Sequence, residues 1–146
     1  MQGLALPEEV WNPGRVPLQL CSSFKDVRVI LHIVRRSEWD EAVRRGSYAP
    51  ESLRGEGFIH CSTQAQVIDT ANRFYRGQRD LVVVCIEEQR LRAELRWEAP
   101  AQPHGAASGE LFPHLYGELN IDAVVKVAEL PCEDDGSFRL PEELRG

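Results

Sequence analysis

The apolar positions of this chain fall into short runs whose period changes along its length. Arg28 to Val34 is a β-branched and apolar run that predicts a buried strand. Ser37-Glu38-Trp39-Asp40-Glu41-Ala42-Val43-Arg44-Arg45-Gly46 then predicts a helix, with a serine to cap it, acids in the first turn, bases in the last and a glycine stop. Trp39 and Val43, four apart, give that helix an apolar stripe. After a loop through Pro50 and Leu53, Phe58 to Ser62 is a strand. Thr63 with Gln66 forms a capping-box pattern that opens a second helix. Val67, Ile68, Ala71 and Phe74 line one face of it, and Gly77 follows near its end.

The second half is richer in strands. Leu81 to Ile86 does not alternate, which predicts a strand buried on both faces at the centre of a sheet. Glu94 to Glu98 alternates cleanly, with Leu95 and Trp97 inward and Glu94, Arg96 and Glu98 on the other face. Ala99 to Glu110 is rich in Pro, Gly, Ala and Ser and predicts a mobile loop, a candidate lid leading into Leu111-Phe112-Pro113-His114-Leu115-Tyr116-Gly117. Ala123 to Leu130 is the last strand, stopped by Pro131. Short strands with two early helices indicate an α+β domain over 29–131. It is preceded by an irregular extension over 1–28, where Trp11, Leu18 and Leu20 are candidates for surface packing, and followed by a tail over 132–146.

Composition narrows the partners. The 146 residues suit one domain. Seventeen basic against 23 acidic residues give a net charge of −6, which argues against binding nucleic acid through its backbone. The longest apolar runs are far short of the roughly 20 residues that span a bilayer, and the N-terminus lacks a secretion signal, so a cytoplasmic protein with no membrane partner is expected. Cys21, Cys61, Cys85 and Cys132 form no Cys-x-x-Cys pair, and neither zinc knuckle nor redox motif is indicated.

The candidate chemistry lies in four blocks. In Gly57-Phe58-Ile59-His60-Cys61-Ser62-Thr63, strand alternation puts His60 and Ser62 on one face, just before a helix N-terminus whose free backbone donors favour anions such as phosphate. A plain structural role sets Ser62 and Thr63 as caps with His60 bonded to them. His32 shares its strand face with Ile30 and Val34: it is either a core histidine bonded to a backbone carbonyl or a neutral imidazole donating to a ligand hydroxyl. His114 and Tyr116, with Phe112, share a face and either anchor a loop or form a platform for a nicotinamide or adenine ring. Glu98 is a candidate to orient a ribose hydroxyl or polarise a nucleophile, against the plain reading of a surface pair with Arg96. Glycine-rich phosphate loops and the esterase nucleophile elbow are absent from the sequence. Three histidines, His32, His60 and His114, leave a zinc site chemically open.

Taken together, Leu31-His32-Ile33, the Trp39 helix, Glu56 to Ser62, Asn72-x-Phe74, Leu95 to Glu98 and Phe112 to Gly117 resemble a bacterial family catalogued as domain of unknown function 952, from about Val29 to Pro131. The resemblance implies a fold similar to the ADP-ribosyltransferases, with a split, mostly antiparallel sheet cradling NAD. It also implies a histidine on a first strand, matched by His32, and a tyrosine, serine or histidine on a second, matched by His60 with Ser62. For the glutamate common on a third strand, Glu98 and His114 stand equal. The histidine-rich set looks like the RNA 2′-phosphotransferase branch, although that branch relies on basic residues for its RNA and this acidic chain offers little beyond Arg35, Arg36, Arg73 and Arg76.

The expectation is a domain that binds NAD, as a substrate, or a related small nucleotide, and cleaves or transfers at the nicotinamide ribose bond. His32, His60, Ser62 and Glu98 are the candidate catalytic residues. Thr63, His114 and Tyr116 join His32, His60 and Ser62 as nucleotide contacts, and no metal is required. A non-catalytic nucleotide sensor and a histidine-metal hydrolase are the alternatives.

Overall fold

The computed structural model describes residues 28–100 and 109–144. In chain order its elements are β1 (Val29–Arg35), α1 (Arg36–Arg45), β2 (Ser47–Tyr48), α2 (Glu51–Gly55), β3 (Ile59–His60), α3 (Gln64–Phe74), β4 (Leu81–Glu87), β5 (Glu94–Glu98), β6 (Phe112–Tyr116), β7 (Leu119–Asn120) and β8 (Val124–Leu130). Among the described residues every strand pairing is antiparallel, and the architecture is mixed α+β. Two three-stranded sheets, β1-β4-β8 and β3-β6-β5, account for most of it, with a small β2-β7 ribbon beside them.

The two larger sheets are joined by one short segment. On one side His60 pairs with His114 and Ile59 with Leu115. On the other, Ser62 and Leu31 exchange two backbone hydrogen bonds of 2.7 Å. The strand expected over Phe58 to Ser62 thus keeps ladder pairing only at Ile59–His60 before it crosses to β1. A cleft opens where the sheets part.

β4 is the central strand of its sheet, and Val82, Val83, Val84 and Ile86 are wholly inaccessible, as the unbroken apolar run predicts. β1 also buries both faces. Ile30 and Val34 pack with Trp39, Tyr48, Ile59 and Leu115, while Leu31 and Ile33 pack with Val67 and Ala71 of α3. His32 is therefore on the Ile30 face, inside the protein.

Several boundaries differ from those expected. α1 begins at Arg36, with Arg35 at its N-cap, so Ser37 lies in the first turn and caps nothing. Its buried pair is Trp39 and Ala42, and Val43 is 49% exposed, because β1 and β2 meet the helix on the three-residue side of the stripe. Phe74 is likewise exposed, at the rim of the cleft. The loop expected through Pro50 and Leu53 holds the single-turn helix α2. Thr63 does stand at the N-cap of α3, and its N–H donates to Gln66 Oε1 at 3.0 Å.

The stretch after Pro131 reads as a tail in the sequence, but it buries Phe138 and Leu144 against the α3 side of the sheet. Asn72 holds it through both polar atoms of its amide, which bond the Phe138 backbone at 2.7 and 3.2 Å. The extension over 1–28, apart from Arg28, and the loop expected as a lid, over 101–108, lie outside the described residues. Among the described residues no helix is long and apolar enough to cross a membrane.

Candidate functional site

A cavity of about 620 Å³ occupies the cleft between the sheets. His32 of β1, His60 and Ser62 of the joining segment, and His114 of β6 all line it. Four residues singled out in three separate blocks of sequence therefore share one space, within the roughly 300–1,000 Å³ typical of small-molecule sites.

His32 is 7% exposed and has no nitrogen to spare. Its Nδ1 lies 2.6 Å from the His60 carbonyl oxygen, and its Nε2 lies 2.8 Å from the Tyr48 hydroxyl. The carbonyl only accepts, so Nδ1 carries the proton and Tyr48 donates to Nε2. Burial pulls the imidazole pKa down to about 4, which keeps it neutral at physiological pH. His32 thereby orients the His60 backbone and Tyr48, and Tyr48 presents an oxygen that can still accept a hydrogen bond in the cavity wall.

His60 is exposed, and its Nε2 lies 2.5 Å from Glu56 Oε1. Ser62 is buried, and its hydroxyl donates to Thr70 Oγ1 across 3.4 Å. Thr63 turns away: it lines a separate groove with Arg28 and Trp97. The burial of Cys61 pushes its thiol up to about 12, so it remains protonated and inert.

The face that β5 and β6 turn toward His60 carries a connected set. His114, 3% exposed, donates from Nδ1 to Glu98 Oε1 at 2.8 Å. The Tyr116 hydroxyl donates to the same oxygen at 2.7 Å. These two hydrogen bonds hold the Glu98 carboxyl below its ordinary range. The expected surface pair of Glu98 with Arg96 does not form. Arg96 is bonded to Glu94 and lies 4.4 Å over the Tyr116 ring, on the same exposed face. Glu98 and Tyr116 do not line the cavity themselves; they stand behind His114.

Phe58 fixes the aromatic part of this wall. Its ring stacks on His114 with centroids 4.2 Å apart and planes at 23°, and the His60 ring stands edge-on to His114 at 5.6 Å. Opposite them, α3 contributes Thr70 and Arg73, and the end of β1 contributes Arg35. These two arginines share the lining with four carboxylates, Glu38, Glu51, Glu56 and Asp69, and Arg73 is paired with Asp69 at 2.8 Å.

Sequence reasoning missed Tyr48, Glu56 and Thr70 as members of the site, and named Arg73 only among the basic residues available for RNA. Tyr48 sits in a two-residue strand too short to show any period. Glu56 lies four residues before His60, but the chain between them is a turn entering β3, so that spacing carries no signal for the pair. A three-histidine zinc site does not fit: both nitrogens of His32 are engaged, and among the described residues no group of three His, Cys, Asp or Glu side chains is placed to hold a metal.

The comparisons with known proteins place the chain in a family. Residues 33–127 match the model of a family described as protein of unknown function, DUF952. The crystal structure of protein CC0527 from Caulobacter crescentus is 36% identical, with a TM-score of 0.68, over 80% of this chain and 97% of that one. Its solution structure is 34% identical, with a TM-score of 0.64, over 79% and 95%. No curated protein matches the chain. With a family model spanning most of β1 to β8 and a solved relative matched almost end to end, the chain belongs to the DUF952 family.

Proposed function

We propose that the cavity binds NAD or a related ADP-ribose nucleotide and serves cleavage or transfer at the nicotinamide ribose bond. One observation carries the reading: His32, His60, Ser62 and His114, from three separate strand segments, line a single cavity in the cleft between two antiparallel sheets. The cleft has the parts such a nucleotide requires. The His60 imidazole and the Phe112 ring suit a planar ring. Arg35, and Arg73 once drawn from its pair with Asp69, suit a diphosphate, and the hydroxyls of Tyr48, Ser62 and Thr70 suit ribose. In this reading His32 acts through its neighbours, holding the His60 backbone and the Tyr48 hydroxyl in place.

A non-catalytic sensor is the second reading, favoured by Glu98 being held behind His114 and outside the cavity wall. Titration of NAD and of ADP-ribose into the protein, followed by NMR and calorimetry, tests the first. Binding is expected, and His60→Ala should weaken it. If neither nucleotide shifts any resonance, the reading fails. Binding with no nicotinamide release across water, protein and nucleic-acid acceptors selects the sensor.

A further inference from the structure

Glu98 and His114 are rivals for one position in the sequence, yet in the fold they form one unit. Glu98 takes hydrogen bonds from His114 and Tyr116 that favour its ionised form, and a carboxylate only accepts. The ring proton of a neutral His114 is thus fixed on Nδ1, and the lone pair is left on Nε2. Among the described residues that Nε2 has no hydrogen-bond partner, and His114 lines the cavity. Stacking by Phe58 keeps the ring from turning.

We propose that His114 is the general base of this site, with Glu98 as its positioning residue and water as the nucleophile, so that the protein hydrolyses NAD-type nucleotides at the nicotinamide ribose. This rests on the nucleotide reading above. Water loses a proton to Nε2 as its oxygen bonds to the ribose anomeric carbon. The bond from that carbon to the nicotinamide nitrogen breaks, and its electron pair leaves on neutral nicotinamide. NAD and water thus give ADP-ribose, nicotinamide and one proton, which His114 passes to solvent beside the exposed His60.

The arrangement suits this order of events. A neutral imidazole beside a ribose that is gaining positive charge does not repel it, and the ring becomes cationic only as the attack of water quenches that charge. Glu98, one layer back, then stabilises the imidazolium it has oriented, which is how a carboxylate serves a histidine base elsewhere. A glutamate acting directly on the ribose would line the cavity, and Glu98 does not.

The test uses the full chain, calorimetry with NAD and ADP-ribose, and chromatographic assay of nicotinamide release. We expect His114→Ala to bind NAD within a few fold of the parent, to release nicotinamide about a hundred-fold more slowly, and to regain part of that loss with added imidazole. Glu98→Gln preserves the shape and should slow release while altering its pH profile. Independently of any ligand, nitrogen NMR of His114 should show the Nδ1-protonated tautomer, and Glu98→Gln should mix the tautomers. Release untouched by His114→Ala, or neutral His114 protonated on Nε2, overturns this inference and leaves the nucleotide reading standing; NAD binding with no release overturns this inference and selects the sensor. Failure of both nucleotides to bind overturns the two together.

Discussion

The Nδ1 of His32 donates to the backbone carbonyl of His60 at 2.6 Å, so the first histidine of the site fixes the main chain that carries the second. The bond crosses from β1 to the segment that joins the two sheets, beside the paired hydrogen bonds of Leu31 and Ser62. The cleft is held open from its own floor. A change at His32 is expected to act on His60 and Tyr48 before it acts on any ligand.

That relationship makes stability depend on pH. The pKa of His32 falls from 6.5 to about 4 in the folded protein, mainly through burial. Between those values the unfolded chain binds a proton that the folded protein does not, so stability is full above about 6.5 and is lost as pH falls toward 4. The difference corresponds to about 3 kcal/mol. His32→Gln, which keeps a polar side chain of similar reach, should flatten the slope of the urea-unfolding free energy across that window. An unchanged slope would show that the carboxylates alone set it.

The Glu98 carboxyl offers a second titration. Its pKa is lowered from the ordinary 4.5 chiefly by the hydrogen bond from His114, then by that from Tyr116. Tyr116→Phe should therefore raise it part of the way back, and His114→Ala should raise it further. Carbon-detected NMR of the glutamate carboxyls reads both. If Tyr116→Phe moved it further than His114→Ala, the order of the two donors would be reversed.

Gly117 closes β6 directly after Tyr116, and a Cβ built there would stand 2.6 Å from the Cβ of Ala93. Both atoms are tied to backbone, so the contact has no flexible side chain to absorb it. Gly117→Ala should cost about 1–3 kcal/mol in chemical denaturation, as overpacking commonly does. Ala93→Gly in the same chain should restore part of that loss. Failure of the second change to rescue the first would mean that the backbone at Gly117, and not the clash, is what matters.

Much of this was legible in the sequence wherever one periodicity governs one element. The unbroken apolar run of β4 gave its place at the centre of a sheet, and the alternation of β5 correctly set Leu95 and Trp97 apart from Glu94, Arg96 and Glu98. Alternation does not say which strand lies opposite. The bond from His114 to Glu98 joins residues 16 apart across a long connection, and it depends on the β5-β6 register, which pairs Arg96 with His114. Tyr48 reaches His32 from a strand of two residues, which has no period at all. Short elements are positioned by tertiary packing, and their own residues carry little trace of it.

Gln66 ties the start of α3 to the chain entering β6, and its amide is fully used. Its Oε1 accepts from the Thr63 N–H at 3.0 Å, and its Nε2 donates to the Leu111 carbonyl at 2.8 Å and to Glu110 Oε2 at 3.0 Å. The side chain is nearly buried, so no water stands ready to replace all three bonds. Gln66→Ala should cost about 1–3 kcal/mol, because it strands a backbone acceptor and a backbone donor together. Gln66→Glu separates the two: it keeps the acceptor for Thr63 but removes the donor to Leu111 and sets a second carboxylate against Glu110. It should therefore be the more damaging at neutral pH and should recover as pH falls through the carboxylate range. Thermal unfolding of both variants at pH 7 and pH 4.5 checks this, and a Gln66→Glu protein as stable as the parent at pH 7 would refute the assigned orientation of the amide.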